Sequence, residues 1–440
     1  VTSRGTAQPP QPPDVSVVIA VYNTMPYLTA CLDSLVGQSI GHRRMEIVAV
    51  DDGSTDGSGA ELDRYATRHP GLFKVRHQAN SGGPAHPTNR GTAEATGRYV
   101  LYLGADDWLG AEALERMVAA ADRWESEVLV PKQVGENGRL VPQGVFDRTA
   151  REVSFTDSAL AWALADTKLF RRDLLQRHGL SRLEDLLVHS DQPFTLEALL
   201  RAERVSVLAD YDYYHLVLRQ DRSNVTHRAG PLDRLRGVRA IQEVVERLTD
   251  PGPARDAIRS RHFGWEVPQL LQADFLHLDH GLQRQVCAGI AGLLDDFCTP
   301  ELLARLPVGD RLRLALARRG ELAALRGVID YELANGTPPP VRRRGREYAG
   351  YPLFRSRRLG LPDQLFALGQ AGPDGGWLVG LRRQVMRRLP PRARKALRRR
   401  LGRLVRRRPP ARAGVRTDAG AGAAAGGWVG APAGARADEG

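Results

Sequence analysis

Three groups of acidic and amide side chains stand out for the chemistry they could share: Asp51 and Asp52 in DDGSTDGS, the run NSGGPAHPTN from Asn80 to Asn89, and Asp106 and Asp107 in LGADDWL. Carboxylates cannot cradle a phosphate directly, because like charges repel. They become useful to a diphosphate once a divalent cation lies between the two. Hard oxygen ligands suit Mg²⁺ or Mn²⁺, which keep coordination positions open for phosphate oxygens. Asp106 and Asp107 are the candidates for that metal. Asp51 or Asp52 is suited to accept hydrogen bonds from a base or a ribose. Taken singly, an Asp pair ahead of a helix is N-cap chemistry, and DDGSTDGS is good turn chemistry. Their order along the chain is what makes them a site.

That order follows from the elements around them. Val15–Val21 is almost continuously apolar, as a parallel strand covered on both faces should be. Leu28, Cys31, Leu32, Leu35 and Val36 recur at helical spacing. Further strands are expected at 46–50, 73–77 and 99–103, with helices at 59–68 and 88–96. Such βαβ alternation predicts an α/β fold with a mostly parallel sheet and helices on both faces. In an open parallel sheet, ligands bind beyond the carboxyl ends of the strands. The three groups follow the second, third and fourth strands. Farther on, a helix is expected at 185–201 and a strand at 204–209. Tyr211, Tyr213 and Tyr214 have the spacing of a half-buried strand.

From Pro231 the spacing turns helical, with Leu235, Val238, Ile241, Val245 and Leu248 on one stripe. The expected organisation is a disordered leader at 1–13, an α/β domain at 14–230 and a helical region at 231–333. A short extension at 334–378 and a basic, then Ala/Gly-rich disordered tail at 379–440 complete it. The net charge of +12 misleads if it is spread over the chain. Residues 382–408 carry thirteen Arg, one Lys and no acid, so the remainder is close to neutral. A nucleic-acid binder would rest on that tail alone and is not expected. Anionic lipid headgroups or a phosphate-rich polymer suit the segment better. No apolar run approaches the ~18 residues of a membrane span, and the opening residues lack a secretory-type apolar stretch. The three cysteines form no CxxC and fit a reducing compartment.

VSVVIAVYNTMPYLTACLDSLVGQS, EIVAVDDGSTDGS, NSGGP, TNRG and GRYVLYLGADDWL together resemble the nucleotide-sugar half of inverting family 2 glycosyltransferases, which have the GT-A (Rossmann-like) fold. ANSGGPAHPTN, NGRLVPQGVF, SDQPFTLEALLRAERVSVLADYDYY and RHF further resemble the wall teichoic acid enzymes that place N-acetylglucosamine on poly(ribitol phosphate). The resemblance implies a UDP-sugar donor, with Ala20, Val21, Tyr22 and Asn23 lining the uracil and ribose pocket. Asp52 would contact the base, and Asn80 would lie near the nucleoside. Asp106 matches the metal-binding aspartate of the family's DxD motif, flanked by Asp107, with Mn²⁺ or Mg²⁺ as cofactor. Asp191 falls at the catalytic base. Arg261 and His262 match basic residues where a polyanionic or lipid-linked acceptor would run. A homo-oligomer and a cytoplasmic location, peripheral at the inner face of the membrane through 382–408, are also implied. Three departures stand against the pattern: Gly104 replaces the first Asp of DxD, Thr88 replaces an Arg, and Ser190 replaces a Glu. The alternatives are a capsular or exopolysaccharide glycosyltransferase using another nucleotide sugar, and a non-catalytic GT-A scaffold.

Overall fold

The computed structural model describes residues 12–220 and 229–369; the basic stretch 382–408 and the rest of the tail lie outside the described residues. Ten strands precede the helical region. They are β1 (Val15–Val21), β2 (Met45–Asp51), β3 (Phe73–His77), β4 (Tyr99–Tyr102), β5 (Trp108–Leu109), β6 (Val128–Pro131), β7 (Gln133–Glu136), β8 (Leu169–Arg171), β9 (Val205–Leu208) and β10 (Tyr214–Val217). Seven of them form one sheet in the order β3-β2-β1-β4-β8-β6-β9. Every pairing in it is parallel except the two made by β8. A small second sheet, β5-β10-β7, stands beside the β4 end.

The strands are apolar on both sides because both faces are covered. Val15, Val17, Ile19 and Val21 point into one core, shared with Leu28, Leu32 and Leu35 of α1 (Tyr27–Val36). After α2 (Ser58–Arg68) and α3 (Ala85–Glu94), α4 (Ala113–Trp124) adds Leu114, Met117 and Val118 to the same layer. Val18, Val48 and Val100 point the other way. They meet a second core that holds Leu174 of α5 (Arg172–Arg177) and Phe194 and Leu196 of α6 (Asp191–Arg201).

That second core also takes Ile241, Val244 and Val245 from α7 (Pro231–Leu248) and Ile258 from α8 (Pro253–Arg261). A π-turn at His262–Glu266 leads into α9 (Val267–Gln269). Next come α10 (His280–Phe297), α11 (Pro300–Arg305), α12 (Val308–Arg318) and α13 (Leu322–Asn335), which enclose a third core. The extension past 334 is a hairpin, β11 (Pro340–Arg343) and β12 (Arg346–Ala349), followed by a 3₁₀ turn at Asp363–Phe366. Its Tyr351, Leu359, Leu361 and Phe366 are buried in that third core. No helix among the described residues is long and apolar enough to cross a membrane.

Three local expectations are corrected. The helix expected at 185–201 starts at Asp191, because His189 takes a left-handed φ of 62° that no helix continues through. The helix expected at 88–96 runs Ala85–Glu94, with Pro87 in its first turn, where a missing N–H costs nothing. Tyr213 and Tyr214 are both fully buried, so this stretch is no half-exposed strand.

Candidate active site

The loops beyond β1, β2 and β3 are clasped to one another by side chains. Asp52 is buried and accepts hydrogen bonds from Gln78 Nε2 at 2.6 Å, Asn80 Nδ2 at 3.3 Å and Ser81 N at 3.1 Å. Its own N–H donates to the Val21 carbonyl at 2.8 Å. Gly53, at φ +77°, lets this happen: a Cβ there would lie 2.8 Å from Asn80 N. Asn23 reaches across in the left-handed region (φ 48°), its N–H donating to Ser54 Oγ at 3.1 Å and its Oδ1 accepting from Thr55 N at 2.8 Å. Asp51 instead turns to His77 Nδ1 at 3.0 Å and Ser54 N at 3.0 Å, a structural role. Ala20, one residue before the end of β1, lines the central cavity, and Tyr22 is 40% exposed past the strand.

At the end of β4 the two aspartates part ways. Asp107 is buried: its Oδ1 accepts from Val217 N at 2.8 Å and its Oδ2 from the Tyr214 hydroxyl at 3.3 Å. Burial first, and the neighbouring Asp106 next, push its carboxyl up to about 8. Asp106 remains partly exposed and is paired with Arg219 Nε at 2.7 Å. The same guanidinium reaches the Asn23 carbonyl at 3.4 Å, so Arg219 spans from the β1 loop to the acidic corner. Gly104 is needed here, since a Cβ would sit 2.5 Å from Asp107 Oδ2 and 3.2 Å from Asp106 Oδ1. The departure at this position makes room for the two carboxylates. No group of three or more His, Cys, Asp or Glu side chains among the described residues could hold a metal. A cation at Asp106 would therefore draw its remaining ligands from phosphate oxygens and water, the set Mg²⁺ accepts readily.

Between these corners lies a cavity of about 470 Å³, lined among others by Ala20, Gly104, Asp166, Arg182, Asp191 and Glu266. Asp191 is the first residue of α6. Burial first and the Asp166 charge next, against the pull of Arg182 and Lys168, push its carboxyl up to about 7. Arg182 is ion-paired with Asp166, and its guanidinium carbon lies 3.9 Å from the ring centre of Tyr102 and 4.7 Å from that of Phe194. Lys168 is fully buried, donates to the Ala165 carbonyl, and is lowered to about 8 by burial. A carboxylate whose pKa lies near 7 inside a cleft is equipped for proton abstraction at neutral pH.

Residues 16–179 match the model described as glycosyl transferase family 2, and residues 231–329 match the glycosyl transferase TarS linker domain. These residues form a family 2 glycosyl transferase domain followed by a TarS-type linker. Curated relatives include a poly(ribitol-phosphate) beta-glucosyltransferase of Bacillus spizizenii, 38% identical over 205 residues, 47% of this chain and 32% of that one. The poly(ribitol-phosphate) beta-N-acetylglucosaminyltransferase TarS of Staphylococcus aureus is 37% identical over 219 residues, 50% of this chain and 38% of that one. The chain thus spans about a third of the length of these relatives. The crystal structure of S. aureus TarS 1–349 in complex with UDP-GlcNAc superposes with a TM-score of 0.67 at 29% identity. It covers 76% of this chain and 96% of that one, and it carries the same GT-A architecture.

The structure brings Ala20, Asp52, Asn80, Asp106 and Asp107 of the family 2 match together with Asp191, which lies beyond it, at one end of the sheet. Arg261 and His262 sit behind it. Arg261 donates to Gln192 Oε1 at 3.1 Å, next to Asp191, and pairs with Glu266 at 3.0 Å. His262 is fully buried; its Nδ1 meets the Ile258 carbonyl at 2.8 Å and its Nε2 lies 2.9 Å from Arg261 Nη1. That arrangement leaves Nε2 as the acceptor. Burial and Arg261 push the ring down to about 3, so it stays neutral. His262 therefore does not line the cavity and acts on it only through Arg261. Thr88 lines the cavity, whereas Arg90 faces Gln78 Oε1 at 3.0 Å. Asp166, Lys168, Arg182, Tyr214, Arg219 and Glu266 were not foreseen from sequence. Tyr214 showed only strand spacing, and the others lie in irregular or distant segments whose spacing carries no period.

Proposed function

We propose that this chain is an inverting glycosyltransferase that moves a sugar from a UDP-sugar to a hydroxyl of a phosphodiester cell-wall polymer of the poly(ribitol phosphate) type. N-acetylglucosamine is the first candidate and glucose the second, following the two relatives and the UDP-GlcNAc complex. The observation that carries the reading is Asp191, a carboxylate raised to about 7. It faces the same cavity as Ala20 and Gly104, from the nucleotide and acidic ends.

In the proposed reaction Asp191 takes the proton from the acceptor hydroxyl. The acceptor oxygen bonds to the anomeric carbon from one face, and the bond to the diphosphate breaks on the other, releasing UDP with inversion. Asp106 is the side chain that would hold Mg²⁺ or Mn²⁺, which when bound supplies electrostatic stabilisation to the leaving diphosphate. Arg219, between Asn23 and Asp106, offers a second positive charge along the path of the diphosphate. The arginines of 382–408 would favour an anionic surface at the inner face of the membrane as the place of work.

The test is transfer of labelled sugar from UDP-GlcNAc and UDP-glucose to synthetic poly(ribitol phosphate), with Mn²⁺ or Mg²⁺ present. Asp191→Asn is expected to lower turnover by ~10²–10⁴-fold while donor binding by calorimetry is retained. Near-normal turnover in that variant would remove Asp191 as the base. Absence of transfer to any ribitol phosphate polymer would remove the acceptor.

A further inference from the structure

The hairpin of β11 and β12 lies outside the residues matched by either family model, and none of its residues lines the catalytic cavity. Its register sets Val341 opposite Tyr348, Arg342 opposite Glu347 and Arg343 opposite Arg346. Residues directly opposite share a face. One face therefore carries the Arg342–Glu347 ion pair, closed at 2.8 Å. The other carries Arg343 and Arg346 side by side, with Arg344 in the turn between them at φ 45°. All three are exposed, and among the described residues no carboxylate lies within ion-pair distance of any of them.

Like charges set directly across a ladder are destabilising. The hairpin tolerates them because its base is anchored. Ala349 is buried in the third core, Gly350 N donates to the Pro339 carbonyl at 2.9 Å, and Leu368 N donates to the Glu347 carbonyl at 2.9 Å. The Tyr348 ring stacks on Phe354 at 5.2 Å. A single charge suffices to guard an exposed strand edge. Three guanidiniums at one tip exceed that need. Guanidinium groups engage phosphate oxygens through paired, planar donors, which an ammonium cannot do. The one exposed aliphatic side chain on this face, Val341, offers little to insert into a lipid layer.

We infer that the tip of this hairpin, through Arg343, Arg344 and Arg346, is a second binding surface for a phosphodiester polymer, holding the acceptor outside the catalytic cavity. The identity of the polymer rests on the reading given under the proposed function. The surface would hold one stretch of a long chain while another stretch enters the cavity, so its contribution grows with acceptor length.

The experiment uses the full chain and a triple variant, Arg343→Gln, Arg344→Gln, Arg346→Gln. The probes are fluorescent poly(ribitol phosphate) of about forty repeats, a three-repeat oligomer, inorganic polyphosphate, and vesicles containing phosphatidylglycerol, forty repeats being chosen as roughly long enough to bridge two sites. We expect the triple variant to bind the long polymer roughly tenfold more weakly, three exposed ionic contacts being lost. The slope of log affinity against log salt should flatten by about two to three. KM for the long polymer should rise in step, with kcat and the three-repeat KM unchanged. Unchanged long-polymer affinity would overturn the proposal, and so would a loss confined to vesicles. Hairpin-dependent binding of polyphosphate and long polymer without any sugar transfer would support the surface and overturn the acceptor reading instead.

Discussion

Asp191 gains its basicity from where it sits. Burial contributes most, and the charge of Asp166 adds to it, against the pull of Arg182 and Lys168. As the proposed base, Asp191 must be ionised to act, so kcat/KM should rise with pH through about 7 and level off above it. Asp166→Asn removes a negative neighbour and also leaves Arg182 less compensated, since the two are ion-paired. Both changes favour the ionised form of Asp191, so the sign is a fall in its pKa. The acid limb of the pH–rate profile should move to lower pH, and the plateau should drop because a weaker base takes the proton. A limb that stays in place would take Asp166 out of this role. His262 offers the contrast: fully buried, and held neutral by burial and Arg261, it titrates too low to shape the same profile.

At the scale of elements, the stretch from Asp166 through β8 and α5 to the start of α6 shapes the candidate site and was the least legible in sequence. β1, β2 and β4 are runs of β-branched and apolar residues buried on both faces, a pattern that spacing alone reveals. The acidic loops at their ends were readable because strand ends in a parallel sheet converge. Nothing comparable marks Asp166, Lys168 or Arg182. Their meeting with Asp191 is made by tertiary packing, in which Arg182 slides over Tyr102 and Phe194. The start of α6 was misread because LLVHS continues the apolar spacing, while His189 breaks the backbone with a positive φ. Arg182 thus fixes Asp166 beside Asp191, the proposed base. Arg182→Met keeps much of the stacking volume but strips Asp166 of its partner, and breaking such a pair costs roughly 3–5 kcal/mol. Urea unfolding should show a lower midpoint at unchanged slope. A midpoint equal to that of the parent would mean the pair contributes no net stability.

For the whole molecule, the question is whether the boundary at 230 seen along the sequence is also a physical boundary. The family 2 match ends at 179 and the linker match begins at 231, which invites a cut between them. The packing argues otherwise. Ile241, Val244 and Val245 of α7 and Ile258 of α8 are buried in the same core as Phe170, Phe194, Leu196 and Val207 of the sheet layer. Arg261 reaches back to Gln192, and Glu266 lines the catalytic cavity from the far side of that boundary. Exposing four such side chains' worth of contact forfeits on the order of 1.5–3 kcal/mol each. Their sum is comparable to the roughly 5–15 kcal/mol that holds a domain folded. A fragment ending at residue 230 should therefore lack the cooperative thermal transition of the full chain and be cleaved rapidly by protease in α6, the helix that α7 covers. Asp191 would lose its setting with it, so the proposed UDP-sugar turnover should vanish even where some donor binding survives on the β1–β4 side. A soluble fragment that melts cooperatively near the temperature of the full chain would show the opposite: that the linker helices rest on the site without building it.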